Sequence, residues 1–260
     1  MSLKGKTALI TGSTSGIGLG IAKSFAQEGI NIVMNGFGDA NTVERERATL
    51  EKHGIKATYN PADMTKPHEI TALVEEAEDT FGSIDILVNN AGIQHVSPIE
   101  DFPPEKWDAV IGINLSSTFH TTRLALPGMK KAGWGRIINI GSIHSLVASA
   151  NKAAYVAAKF GVLGMTKTVA LETAQNNITC NCICPAYVNT PLVQGQVPAQ
   201  AKAHNIPEDE VIEKIMLAPQ PIKKLVQTQH LGEFCLFLCS DAAQNITGAA
   251  LPIDGGWTAA

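Results

Sequence analysis

The chain has 260 residues, 45% of them hydrophobic and 17% charged, which is enough for one large α/β domain with a substantial core. Its formal net charge is -4, so no basic surplus exists to hold a phosphate backbone, and nucleic acid is not an expected partner. Met1-Ser2-Leu3-Lys4-Gly5-Lys6 has no apolar leader and no apolar run approaches membrane-spanning length, so no membrane partner and a cytoplasmic location are expected.

Thr7-Ala8-Leu9-Ile10 is a short apolar run, as a strand buried on both faces should be. A glycine-rich turn follows it, then a helix through 21–26. Further strands are predicted over 31–34, 55–59, 84–88, 136–140, 178–183 and 249–253, with helices over 69–81, after Trp107 and over 153–174. Strands alternating with helices imply a parallel sheet, covered on both faces and joined by right-handed crossovers. The expected architecture is α/β: a single Rossmann-type doubly wound domain over 1–260 with a seven-stranded parallel sheet. Residues 190–224 are rich in Pro, Gln and Ala and break the rhythm before the last helix. They are expected to form a small inserted helical lid, although a plain surface excursion fits the same pattern.

Of five cysteines, Cys180, Cys182 and Cys184 alternate and would share one strand face, while Cys235 and Cys239 sit at helical spacing. No second ligand pair accompanies them. Buried small apolar side chains are expected, not a metal site or a disulfide framework.

Thr11-Gly12-Ser13-Thr14-Ser15-Gly16-Ile17-Gly18 lies between the first strand and the first helix. Glycines there allow a tight turn and close approach of a pyrophosphate to the backbone, and the helix N-terminus supplies N–H groups and partial positive charge. A glycine string placed after a strand and opening a helix makes a dinucleotide the expected ligand. The second strand ends in Asn35-Gly36-Phe37-Gly38-Asp39, with Phe37 among the expected contacts. No Arg or Lys occurs from Gly36 to Val43, or in the turn at Ser13 to Ser15, where a 2′-phosphate would need one. By exclusion, the expected cofactor is NAD.

Tyr155-Val156-Ala157-Ala158-Lys159 falls in a predicted helix, where i, i+4 spacing places phenol and ammonium on one face. An unperturbed Tyr, with a pKa of about 10, is a poor base at neutral pH. A neighbouring ammonium and an oxidised nicotinamide would favour the phenolate and make Tyr155 a usable general base and, in reverse, a general acid. Ser142 follows the strand over 136–140, at the edge where open α/β sheets bind ligands, and its hydroxyl can bond the reacting oxygen. Asn114 lies mid-helix, where Asn is a mild destabiliser.

The Gly-x3-Gly-x-Gly spacing, Asn89-Asn90-Ala91-Gly92, and the series Asn114, Ser142, Tyr155, Lys159 resemble the short-chain dehydrogenase/reductase family over essentially the whole chain. The resemblance implies hydride transfer at a carbon bearing a hydroxyl or carbonyl. It implies that Asn90, Ala91 and Gly92 steady the sheet beside the adenosine and that Asp63 meets the adenine amino group. Asn114 would anchor a proton-relay water, Ser142 would steady the substrate oxygen, and Lys159 would also grip the nicotinamide ribose. Pro185, Val188 and Thr190 would hold the carboxamide. Ala186 stands where the family has Gly, which would carry a strain if that position needs positive φ. The family's usual assembly is a homotetramer. The apolar Phe234, Leu236, Phe237 and Leu238 would serve such an interface or the core.

Gln94, His144, Lys152 and Gln196 fall around the same edge. One cation with several donors suits a small carboxylate. Read singly, Lys152 is equally a solvated helix-start lysine, His144 a loop histidine, and the two glutamines surface amides. The resemblance implies that these four hold a carboxylate, that aromatic Tyr187 and Trp257 pack on a methyl end, and that Tyr stands at 187 where Trp is usual. A short 3-hydroxy acid is the expected substrate, with (R)-3-hydroxybutyrate and acetoacetate as the pair. Alternatives are a 3-oxoacyl carrier-protein reductase or a sugar or steroid alcohol dehydrogenase of the same family, or a dinucleotide-binding regulator without chemistry.

Overall fold

A computed structural model describes residues 2–259. Seven strands form one parallel sheet in the order β3-β2-β1-β4-β5-β6-β7. They are β1 (Thr7–Ile10), β2 (Asn31–Asn35), β3 (Ala57–Asn60), β4 (Ile86–Asn89), β5 (Gly135–Ile140), β6 (Ile178–Pro185) and β7 (Ala250–Ile253). The helices are α1 (Gly16–Gln27), α2 (Ala40–Glu51), α3 (Pro67–Phe81), α4 (Pro104–Ile111), α5 (Ser117–Ala132), α6 (Ala153–Thr173), α7 (Pro191–Gln194), α8 (Val197–His204), α9 (Glu208–Val211) and α10 (Thr228–Cys239).

The pleat sorts the core into two layers. Ala8 and Ile10 of β1 face Ile21 and Phe25 of α1 and Leu231, Cys235 and Leu238 of α10. Leu9 faces the other way, onto the layer of Leu73 and Val74 of α3, Ala125 and Met129 of α5, and Val169 of α6. Every residue of β1, β4, β5 and β6 is buried, as expected for central parallel strands covered on both faces, although β5 and β6 also carry buried polar residues such as Arg136, Asn139 and Asn181. Polar groups inside the second layer are paired with one another. Thr121 donates to Asn89 Oδ1 at 2.6 Å, Asn89 Nδ2 donates to Asn139 Oδ1 at 2.9 Å, and Asn139 Nδ2 donates to Thr166 Oγ1 at 2.8 Å. This chain ties α5 and α6 to β4 and β5 just below their C-terminal ends.

The strands lie where the apolar runs predict them, with small shifts at the ends. Helix α2 has no counterpart in the sequence reading. Only Val43 and Leu50 of its residues are buried, so it shows no apolar stripe. It is held instead by Asp39, which accepts from Thr42 N at 2.9 Å, and by Arg47 bridging Glu44 and Glu51. The helix expected after Trp107 is α5; Trp107 itself lies inside α4, and a π-helical turn, Gly112–Ser116, joins α4 to α5. Residues 190–224 do form a helical insertion: α7, α8 and α9 enclose their own apolar cluster of Val193, Val197, Ala201, Val211 and Met216. On α10, Leu238 is core and Phe234 and Leu236 pack against it, so Phe237 is the residue of that group left exposed. All five cysteines are buried and free, with Cys182 and Cys184 sulfurs 3.8 Å apart. Among the described residues, no helix is long and apolar enough to cross a membrane.

Candidate active site

The strand order reverses at β1, and a cleft of about 450 Å³ opens over the C-terminal ends of the strands on either side of that point. One end is built from the β1–α1 turn. Gly12 has a φ of +62°, and a Cβ there would stand 2.9 Å from Ala91 Cα. At Gly18 a Cβ would meet Gly12 O at 2.5 Å and Asn90 Nδ2 at 2.6 Å, so only glycine lets the helix close on the turn. Ser15, the N-cap of α1, makes no side-chain capping bond, and the first turn holds no acidic residue. The first N–H groups of α1 therefore face the cleft with neither side-chain partner nor competing charge, as an anion site requires. Thr14, Ser15, Gly16, Ile17, Phe37, Asp63, Asn90, Ala91 and Gly92 all line this end. The residues present fit a pyrophosphate-bridged dinucleotide.

The chemical centre joins α6 to the end of β5. Lys159 is 4% exposed, and its Nζ donates to Ile140 O at 2.7 Å and lies 5.6 Å from the Tyr155 ring centroid. Burial pulls its pKa down to about 8. The Tyr155 phenol is pushed above its ordinary value by burial, while a hydrogen bond with Ser142 works the other way. This corrects the expectation from charge alone: among the chain's own groups, desolvation outweighs the acidifying influences. Ser142 is buried and caps the short turn Ile143–Ser145 at the mouth of β5.

The third part of the cleft gathers Gln94, His144, Lys152, Tyr187, Gln196 and Trp257. His144 is 4% exposed, not a loose loop residue; its Nδ1 lies 3.2 Å from Val147 O and its Nε2 3.3 Å from Ser149 Oγ. Lys152 Nζ stands 3.5 Å from the same Nε2. Burial lowers the pKa of both; on His144 the bond with Val147 O works against this and the nearby Lys152 charge adds to it, so the neutral imidazole is favoured. The His144 ring meets Tyr155 edge-on at 6.0 Å and Trp257 at 6.5 Å, and Trp257 lies against Tyr187 at 6.2 Å.

A family model described as Enoyl-(Acyl carrier protein) reductase matches residues 12–258. The chain is 57% identical over 257 residues to the D-beta-hydroxybutyrate dehydrogenase of Cupriavidus necator, covering 99% of both chains. The chain belongs to the short-chain dehydrogenase/reductase family. The D-beta-hydroxybutyrate dehydrogenase of Rhizobium meliloti is 55% identical, covering 98% of this chain and 99% of its own. A solved actinorhodin polyketide ketoreductase variant with NADPH superposes with a TM-score of 0.91 at 33% identity, over 97% of both chains. As a short-chain dehydrogenase/reductase the protein is an oxidoreductase built on a fold that binds NAD(P).

Two of the family positions sit behind the cleft wall and not on it. Gly18 acts through the close packing described above. Asn114 is buried in the π-helical turn, and both side-chain amide atoms are committed to Ile93, accepting from its N at 2.8 Å and donating to its O at 2.9 Å. This bulge accounts for an Asn inside a helical run: the wider turn presents the amide to a neighbouring backbone. Ala186 has no positive φ, so the Gly-to-Ala difference stores no strain. Pro185, Val188 and Thr190 line the cleft, and Thr190 also caps α7 by accepting from Val193 N at 3.3 Å. The sequence reading missed Asn35, Met64 and Leu192. Buried Asn35 donates to Asn60 O at 3.2 Å and Ala62 O at 2.9 Å, tying the end of β2 to the end of β3 and the loop after it. Leu192 is 70% exposed on α7 yet borders the cleft. The Thr190-Pro191 pair, a helix-start signal, was the clue to its placement.

Proposed function

We propose that this chain is one dinucleotide-binding and catalytic unit that interconverts (R)-3-hydroxybutyrate and acetoacetate with NAD. The observation that carries the reading is the convergence beside Tyr155 and Ser142 of one ammonium, one neutral imidazole and two amides, faced by the Tyr187–Trp257 wall. A single cation with neutral donors matches one carboxylate, and a flat apolar wall matches a methyl group. The full-length likeness to two D-beta-hydroxybutyrate dehydrogenases supports the same substrate. A carrier-bound acyl chain would have to displace the aromatic wall.

NAD is favoured over NADP because the lining residues include just two cations, Lys152 and Lys159, and both stand at the chemical end. Around Asn35, Gly36 and Phe37 the cleft lining carries no Arg or Lys to balance a 2′-phosphate. When bound, the dinucleotide would supply the acceptor for the hydride leaving C3.

The chain's own groups handle position and protons. Lys152, His144, Gln94 and Gln196 hold the carboxylate and so fix C3, and proximity is the main gain. Ser142 donates to the reacting oxygen. Tyr155 removes the hydroxyl proton in oxidation and returns it to the carbonyl oxygen in reduction. Lys159 holds positive charge behind the phenol and orients α6 against β5 through Ile140. With the Asn114 side chain committed to Ile93, its main-chain carbonyl, which also accepts from Thr118 Oγ1 at 3.3 Å, would anchor a relay water through its second lone pair. The assembly is a homotetramer of the family's usual kind, working in the cytoplasm.

The test is NADH fluorescence with a panel of 3-hydroxy acids of three to five carbons beyond the carboxylate, both enantiomers, and either cofactor. The (R)-C4 acid with NAD should give the highest kcat/KM. A higher value with NADP, or with a carrier-linked 3-oxoacyl substrate, overturns the proposal.

A further inference from the structure

The residues assigned to the carboxylate come from two separate arms. Gln94 sits on the loop after β4, while His144 and Lys152 sit on the stretch between β5 and α6. Among the described residues, the backbone of the 94–103 loop is joined to the 146–152 loop by one hydrogen bond, from Ser97 N to Asn151 O at 2.9 Å. Asn151 has a φ of +64°, in the left-handed region. Asn tolerates that region; a β-branched residue does not. Its side chain is exposed and makes no hydrogen bond, so its backbone shape is what the position uses. The next residue, Lys152, starts α6 from a non-helical φ of -125°, with its Nζ 3.5 Å from His144 Nε2. The left-handed residue thus does two things at once: it turns a carbonyl out to Ser97 and starts α6 with the lysine facing the cleft.

We propose that Ser97 and Asn151 are positioning residues whose backbone hydrogen bond braces the two arms and sets the spacing between Gln94 and Lys152. The proposal rests on the carboxylate reading of the site. Neither residue touches substrate; both act through the residues that do.

The test is steady-state kinetics of the full chain in the reducing direction, varying acetoacetate and NADH separately. Asn151→Val should raise the KM for acetoacetate about tenfold, the scale of one weakened bond to a charged group, and leave the KM for NADH within about twofold. Asn151→Gly should restore the wild-type KM, because glycine adopts the same φ without strain. Ser97→Pro, which deletes the donor N–H, should reproduce the Asn151→Val effect, and Ser97→Ala should not. A neutral ketone without a carboxylate, 2-butanone, should show the same kcat/KM in wild type and Asn151→Val. A wild-type acetoacetate KM in Asn151→Val and Ser97→Pro overturns the brace. So does Asn151→Gly as impaired as Asn151→Val, or an equal loss with 2-butanone. A wild-type enzyme inactive on acetoacetate overturns the substrate reading instead, and the brace is then read on the short keto acid the panel identifies.

Discussion

Lys159→Met should give a protein that is more stable at pH 7 and inactive. The ammonium is 4% exposed, and burial draws its pKa from the ordinary 10.5 to about 8. At about 1.4 kcal/mol per pH unit, holding the charge inside costs about 3 kcal/mol below pH 8. The folded pKa lies below the unfolded one, so between those values the unfolded chain binds the extra proton. Wild-type stability should therefore rise as pH climbs from about 8 to 10.5 and stay flat below. Methionine fills similar space without charge. It forfeits the 2.7 Å bond to Ile140 O, worth about 1 kcal/mol. The net gain at pH 7 is about 2 kcal/mol, or roughly 4–8 °C in Tm for a chain of this size. Calorimetry of both proteins from pH 7 to 10 reads the difference directly. The gap should close toward pH 10. A variant that melts lower than wild type at pH 7, or two profiles that run parallel across the range, refutes the idea that the lysine is held charged against its own desolvation.

Tyr155→Phe should lower kcat by about a thousandfold, the scale of a lost general acid–base group, while NADH binding by fluorescence titration stays unchanged. Turnover near wild type would remove the phenol from the chemistry. Lys152→Ala should raise the KM for acetoacetate by roughly 10- to 100-fold, as expected for a lost charge-assisted bond, with a smaller effect on kcat. An unchanged KM would place the carboxylate elsewhere in the cleft.

The fold was legible because its main strands are buried on both faces. Residues such as Leu9 and Leu87 lie in short apolar runs that admit few other readings. Helix α2 was not legible because its stability resides in a cap and ion pairs, which leave no periodic stripe. The site was legible where function demands rare chemistry: glycine at Gly12 and Gly18, a phenol one turn from an ammonium, a serine at a strand end. The sign of the Tyr155 shift was not. A sequence shows that Lys159 is near but not how dry the pocket is, and dryness decides. Asn114 illustrates the same limit, because its π-helical turn depends on the tertiary contact with Ile93, which local pattern does not record.

The polar chain from Thr121 through Asn89 and Asn139 to Thr166 divides the molecule into a part that can vary and a part that cannot. Replacing any one member strands its neighbours' donors in a dry layer, so these positions can drift only as a coordinated set. The lid, with its separate apolar cluster, is free of that constraint. New substrates should accordingly be reached by rewriting 190–216, while the polar chain joining β4 and β5 to α5 and α6 is inherited intact.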